Sequence, residues 1–204
     1  MFLELRTYQL KPGTAAECER RFAESLPNRD PFSRVAGFWR SESGTLNRIM
    51  HLWPYDSLNQ RMQVRADAVK SGKWPVRIRD LLVSMESNII IPAAFSPALT
   101  PRRLGTVYEI CIDQYEAGGV ELASKAWEPT IARRSQLSPL VMCGHTEIGV
   151  LGQWVSIWAY RDMVHYRDTK DRLESIDWPP AASYEKLLQQ DVVLARPAEF
   201  SDLH

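Results

Sequence analysis

Residues 46–55 read LNRIMHLWPY and residues 151–160 read LGQWVSIWAY. Both stretches end in W-x-Y, and they stand 105 positions apart. The register holds outward from them in both directions. Glu4 meets Glu109, Gly13 meets Gly118, Glu42 meets Glu147 and Gly44 meets Gly149. Near the end Pro92-Ala93 meets Pro197-Ala198 and Phe95-Ser96 meets Phe200-Ser201, while Trp74-Pro75 meets Trp178-Pro179 at a shift of 104. Chance rarely keeps one register from near the first residue to near the last, and tryptophan and proline matches weigh most. The 204 residues therefore read as one unit written twice. The expected division is a first unit at 1–92, a proline-rich linker at 93–105 and a second, degenerate unit at 106–204.

Each unit reads in the same order. LELRTYQL alternates at period 2 and stops at Lys11-Pro12-Gly13; VYEICIDQY stops at Gly118-Gly119. A helix follows, with Thr14 and Glu17 spaced as a capping box and Cys18, Phe22 and Leu26 on one face. Their counterparts Ala123, Trp127 and Ile131 are again apolar, and Pro129 is expected to kink or end the second copy. VAGFWRSE and LNRIMHLWPY then form a hairpin around Gly44. A second helix starts at Ser57, with Gln60 completing a box, and its copy runs near Asp162–Glu174. Final strands are expected near Met85–Ile91 and Asp191–Arg196. The order β-α-β-β-α-β is ferredoxin-like. The fold class is α+β, two tandem ferredoxin-like units whose antiparallel sheets face each other, since each sheet covers one face with its own helices and needs a partner for the other.

Composition narrows the function. Lys and Arg total 25, as do Asp and Glu, so no basic surface points to nucleic acid or an anionic membrane. No apolar run reaches the length of a membrane span. The start, MFLELRTYQL, reads as no signal peptide, and three scattered cysteines suggest a reducing, cytoplasmic compartment. Cys18, Cys111 and Cys143 lack metal-knuckle spacing, so no metal is expected.

The run ELRTYQLKPG, the turn GFWRSESG, the strand LNRIMHLWPY, and Arg61 and Arg65 ahead of Trp74 together resemble the NIPSNAP family. The second copy departs from the pattern: Arg6 becomes Cys111, Tyr8 becomes Asp113 and Asn47-Arg48 becomes Gly152-Gln153. The resemblance implies a dimeric α+β barrel, a type whose members include small monooxygenases and heme enzymes. It implies no settled activity. No pattern looks like a dedicated heme ligand, and no cofactor is expected.

Strand periodicity sorts residues into faces. Met50 and Leu52 match Val155 and Ile157, and Leu3 and Leu5 match Tyr108 and Ile110; this face is expected under the helices. The opposite face carries Glu4, Arg6, Tyr8, His51 and Trp53, matched by Glu109, Cys111, Asp113, Ser156 and Trp158, with Trp154 beside them. It is expected to line a barrel interior holding a small apolar or aromatic molecule. In an enzyme reading, His51 or Glu4 is the base, Arg6 or Tyr8 holds a developing anion, and Trp53, Trp154 and Trp158 stack on the ligand beside Asp113. The activity would be that of a cofactor-independent monooxygenase or isomerase. The plainer readings are a charge network that only fixes register and a non-catalytic interaction scaffold. Arg61 and Arg65 read mainly as a solvated stripe, with an anion grip as the alternative. His145 and Glu147 read as a surface pair. A closed barrel within one chain, with further pairing into a homodimer, is expected.

Overall fold

The computed structural model describes residues 1–204. The first unit runs β1 (Phe2–Leu10), α1 (Ala15–Ser25), β2 (Gly37–Ser41), β3 (Arg48–Tyr55), α2 (Leu58–Lys70) and β4 (Leu82–Pro92). The second runs β5 (Val107–Tyr115), α3 (Gly119–Trp127), α4 (Ile131–Ser135), β6 (Leu140–Ile148), β7 (Gln153–Tyr160), α5 (Met163–Leu173) and β8 (Leu187–Pro197). The break between α3 and α4 falls at Pro129, as its missing N–H requires. Gly13 and Gly118 both sit at φ +80° in the turn into the first helix of their unit, a backbone state that glycine adopts without strain. β4 and β8 are longer than the sequence pattern suggests. The Thr14 box does not form: Thr14 donates to the Lys11 carbonyl, and Glu17 pairs with Arg20 and Arg21. Ser57 does cap α2, accepting from the Gln60 N–H at 3.1 Å.

All strand pairings are antiparallel, and the order β1-β3-β2-β8-β5-β7-β6-β4 closes on itself. Each unit contributes four adjacent strands in the ferredoxin-like arrangement. Two seams join the units, β2 against β8 and β4 against β6. The barrel therefore closes within one chain. Its central pairs keep the repeat: Glu4 lies opposite Trp53 and Arg6 opposite His51, just as Glu109 lies opposite Trp158 and Cys111 opposite Ser156.

Which residues share a face follows the alternation, but the two faces are exchanged relative to expectation. Leu3, Leu5, Met50, Leu52, Tyr108, Ile110, Val155 and Ile157 pack with Ile90, Val141, Met142, Val193 and Trp39 as one cluster inside the barrel. Eight strands leave room for little more than side chains, and here aliphatic ones fill it together with Trp39 and Tyr108. Trp39 is accommodated by Gly37, where a Cβ would stand 2.0 Å from the indole ring. Tyr8, Ile49 and Trp53 instead pack with Cys18 and Phe22 of α1, and Trp154 and Trp158 pack with Trp127 of α3. Glu4, Arg6, Tyr8, His51 and Trp53 thus lie outside the barrel under the first unit's helices. Asp113, Trp154 and Trp158 lie under the second unit's helices, so the two sets do not share a chamber. The physical reason is symmetry. Both units supply the interior, so both copies present apolar groups there, mostly aliphatic with Trp39 and Tyr108 among them, whereas each outer layer belongs to one unit and is free to diverge.

Candidate functional site

The first unit's outer cleft is the packed layer where side chains of β1 and β3 meet those of α1 and α2. Glu4 is fully buried. Its Oε1 accepts from Arg61 Nη2 and from Ser87 Oγ, each at 2.6 Å. Arg6 Nε and Arg65 Nη1 stand 3.8 and 3.9 Å from the same oxygen. Burial alone would raise the carboxyl's pKa, but the bonds from Arg61 and Ser87 and the charge of Arg6 outweigh it and hold it at about 2. Glu4 Oε2 is buried without a partner. Arg61 is therefore not a solvated stripe residue: it reaches from α2 to a carboxylate on β1.

His51 sits deeper. Its ring is caged by Tyr8, edge-on at 4.7 Å, by Phe22 at 5.3 Å and by Phe38 stacked at 5.5 Å. Trp53 Nε1 lies 2.6 Å from His51 Nδ1. An indole N–H can only donate, so Nδ1 accepts and the proton of the neutral ring resides on Nε2. Burial, reinforced by Arg6, pushes the His51 pKa down to about 3, so the ring is uncharged at neutral pH. Nε2–H is buried without a partner. This ring is a poor fit for an axial heme ligand, which must present an unprotonated nitrogen to an open space. Arg6 lies over the Tyr8 ring at 5.2 Å.

Arg29 is a member of the site that strand reading alone does not reveal. It is 2% exposed, bonds Tyr55 Oη at 3.2 Å and lies over the rings of Trp53 and Trp74 at 5.1 and 5.7 Å. Its equivalent is Arg134, which donates to Ser138 Oγ and Tyr160 Oη and sits 3.9 Å above Trp158. The signal was present in the repeat register, where Arg29 meets Arg134 and Tyr55 meets Tyr160.

The second unit's cleft keeps this frame and fills it. Trp127 packs against Trp154, Trp158 and Trp178 with ring centroids 5.5, 6.1 and 4.6 Å away. Glu109 accepts from Tyr160 Oη at 2.6 Å and from Lys170 Nζ at 2.8 Å, so both of its oxygens are engaged. Asp113 accepts from Gln190 at 3.0 Å, and burial raises its pKa. His145 and Glu147 form an exposed pair at 3.8 Å. No cluster of three or more His, Cys, Asp or Glu side chains is arranged to hold a metal ion. No helix is long and apolar enough to cross a membrane.

Two ferredoxin-like sheets joined into one closed barrel, with a helix-covered cleft outside each sheet, define a protein of the dimeric α+β barrel type. A solved anthrone oxidase-like protein shares the fold, with a TM-score of 0.67 over 96% of this chain and 90% of that one at 9% identity. Within that class the chain belongs to the NIPSNAP family, whose model matches residues 3–97 and again 108–202. It is similar to NipSnap homolog 3B of Mus musculus, 33% identical over 77% of this chain and 66% of that protein's length. The human NipSnap homolog 3B is 29% identical over 99% of this chain and 85% of its own length.

Proposed function

We propose that this NIPSNAP protein binds a small apolar or aromatic molecule in the outer cleft of its first unit and handles it in the manner of a cofactor-independent monooxygenase or isomerase. The observation that carries the reading is His51: a neutral imidazole with a buried, unpartnered Nε2–H inside an aromatic cage. A buried donor without an acceptor costs about 1–3 kcal/mol, and a ligand oxygen would recover it. His51 then acts as a hydrogen-bond donor to charge developing on the ligand, not as a base, because its one bare nitrogen already accepts from Trp53. Glu4 offers Oε2 as an acceptor while its Oε1 orders the arginines. Arg6, partly exposed, lies over the buried Tyr8 ring, and Trp53 bonds His51 beside them. Asp113, Trp154 and Trp158 have the corresponding places in the second cleft, where packing leaves them a structural role. The reading takes units at 1–92 and 106–204, a homodimer and a cytoplasmic setting; exposed Val83 and Met85 on β4 and Leu188 and Val192 on β8 support pairing with another copy. Native mass spectrometry of the purified chain tests the site. Wild type and Ser156→Ala should retain a small molecule that His51→Phe loses. Equal retention by His51→Phe would count against it.

A further inference from the structure

The first cleft carries more positive charge than its own residues can neutralise. Arg6, Arg61 and Arg65 all lie within 4 Å of one carboxylate oxygen of Glu4. Arg29 is close enough to feel both Glu4 and Arg65, and it forms no ion pair of its own. Three guanidinium groups thus converge on a single acid, with Arg29 buried nearby over Trp53 and Trp74. Only Arg61 makes a hydrogen bond to the acid, and Arg29 has only a tyrosine hydroxyl. The nitrogens Arg6 Nε, Arg29 Nη1 and Arg61 Nε, together with His51 Nε2, are buried and bond to nothing. A buried cation without a counter-charge is costly, and Arg29 is one; Arg6, Arg61 and Arg65 are partly exposed but share a single carboxylate, so the cluster keeps an excess of positive charge. The second cleft gives the contrast. Arg6, Arg61 and Arg65 are replaced there by Cys111, Tyr166 and Lys170, leaving Arg134 and Lys170 against Glu109 and Asp113.

We infer that the ligand of the first cleft is an anion, an aromatic or apolar molecule bearing a carboxylate or a phosphate, with its charged group held by Arg6, Arg61 and Arg65 and its apolar body directed toward the cage around His51. The inference rests on the reading of that cleft as the ligand site. Guanidinium forks match both oxyanions in geometry, and charge-assisted bonds of this type are about twice as strong as neutral ones. Arg6, Arg61 and Arg65 are also the partly exposed members of the cluster, at 19, 21 and 40% of their side chains, so an anion meets them first.

Calorimetric titration of the full chain at low salt with benzoate, phenyl phosphate and benzyl alcohol tests this. One of the two anions should bind at least about tenfold more tightly than the alcohol, and Arg65→Gln should remove most of that preference, about a tenfold loss. The Lys170→Gln variant, altered at the equivalent position of the other unit, should bind as wild type does. A tighter benzoate identifies a carboxylate, and a tighter phenyl phosphate identifies a phosphate. If the alcohol binds as well as both anions, the aromatic site stands and the anion inference falls. If none of the three binds, both fall. An anion preference that survives in Arg65→Gln overturns the assignment to this cluster.

Discussion

Glu4 and Glu109 occupy the same position in two copies of one unit, and their surroundings differ. Glu109 has a tyrosine hydroxyl on one oxygen and a lysine on the other, and four tryptophans pack together under the same unit's helices. Glu4 has one oxygen crowded by three arginines and the other empty. The frame is common to both: a buried arginine on a tryptophan face, a tyrosine touching it, a glutamate on the first strand. What differs is whether the unit's own side chains complete it. Duplication left one copy free to be completed internally, where Trp127 replaces Phe22, Trp154 replaces Ile49 and Tyr166 replaces Arg61. Both copies keep buried donors without partners, Trp127 Nε1, Arg134 Nε and Trp154 Nε1 among them in the second, but only the first also keeps a bare carboxylate oxygen and three arginines around one acid, and that excess of positive charge calls for a ligand.

The largest expected effect is on stability. Glu4→Gln removes the only carboxylate facing three half-buried arginines and should destabilise the protein by about 3–5 kcal/mol. Glu109→Gln leaves a neutral acceptor for Tyr160 and frees a lysine that reaches solvent, so its cost should be smaller, about 1–3 kcal/mol. Denaturant melts of the two variants check the order; a costlier Glu109→Gln would break the contrast between the units.

The next effect is on pH dependence. His51 has a folded pKa of about 3 against an unfolded value near 6.5, so below pH 6.5 the unfolded state takes up a proton that the folded state refuses. Stability should fall as pH drops from about 6.5 toward 3, by up to about 1.4 kcal/mol per pH unit. Glu4 adds to the loss from about pH 4.5 down to 2, because its pKa is lowered in the folded state and its stabilisation disappears as it protonates. His51→Phe should flatten the upper part of this curve, measured by melts from pH 7 to pH 4. Ser156, the equivalent in the second unit, has no proton to exchange, so Ser156→Ala should leave the curve unchanged. Lys170→Gln leaves the buried Glu109 carboxylate with a neutral donor in place of its lysine and should cost about 1–3 kcal/mol. The smallest effect is expected for Arg65→Gln. The Arg65 side chain is about two-fifths exposed and 3.9 Å from Glu4, so the change should cost no more than about 1 kcal/mol of stability, although it weakens anion binding.

Most of the architecture is legible in the sequence because it rests on periodicity and repetition. The shift that aligns LNRIMHLWPY with LGQWVSIWAY also aligns every strand pair, and alternation sorts Leu3, Leu5, Met50 and Leu52 from Glu4, Arg6, His51 and Trp53. Period 2 states which residues share a face, but it is silent about which face meets the helices. Here apolar residues, mostly aliphatic in both copies, fill the shared interior, and divergent polar and aromatic residues lie under each unit's own helices. Pairing of Phe22 on α1 with Trp127 on α3 was the available clue, since large aromatic groups on a helix seek aromatic partners on the sheet below. Arg29 was hidden because it lies just beyond α1, outside any strand, where alternation offers no guide.

The most direct test of the central claim is a crystal structure of the chain grown with phenyl phosphate or benzoate. The account predicts ligand density in the first cleft, with its anionic group on Arg6, Arg61 and Arg65 and its ring near His51, and none in the second cleft. Density inside the barrel among Leu52, Val155 and Ile157, or equal density in both clefts, would contradict it.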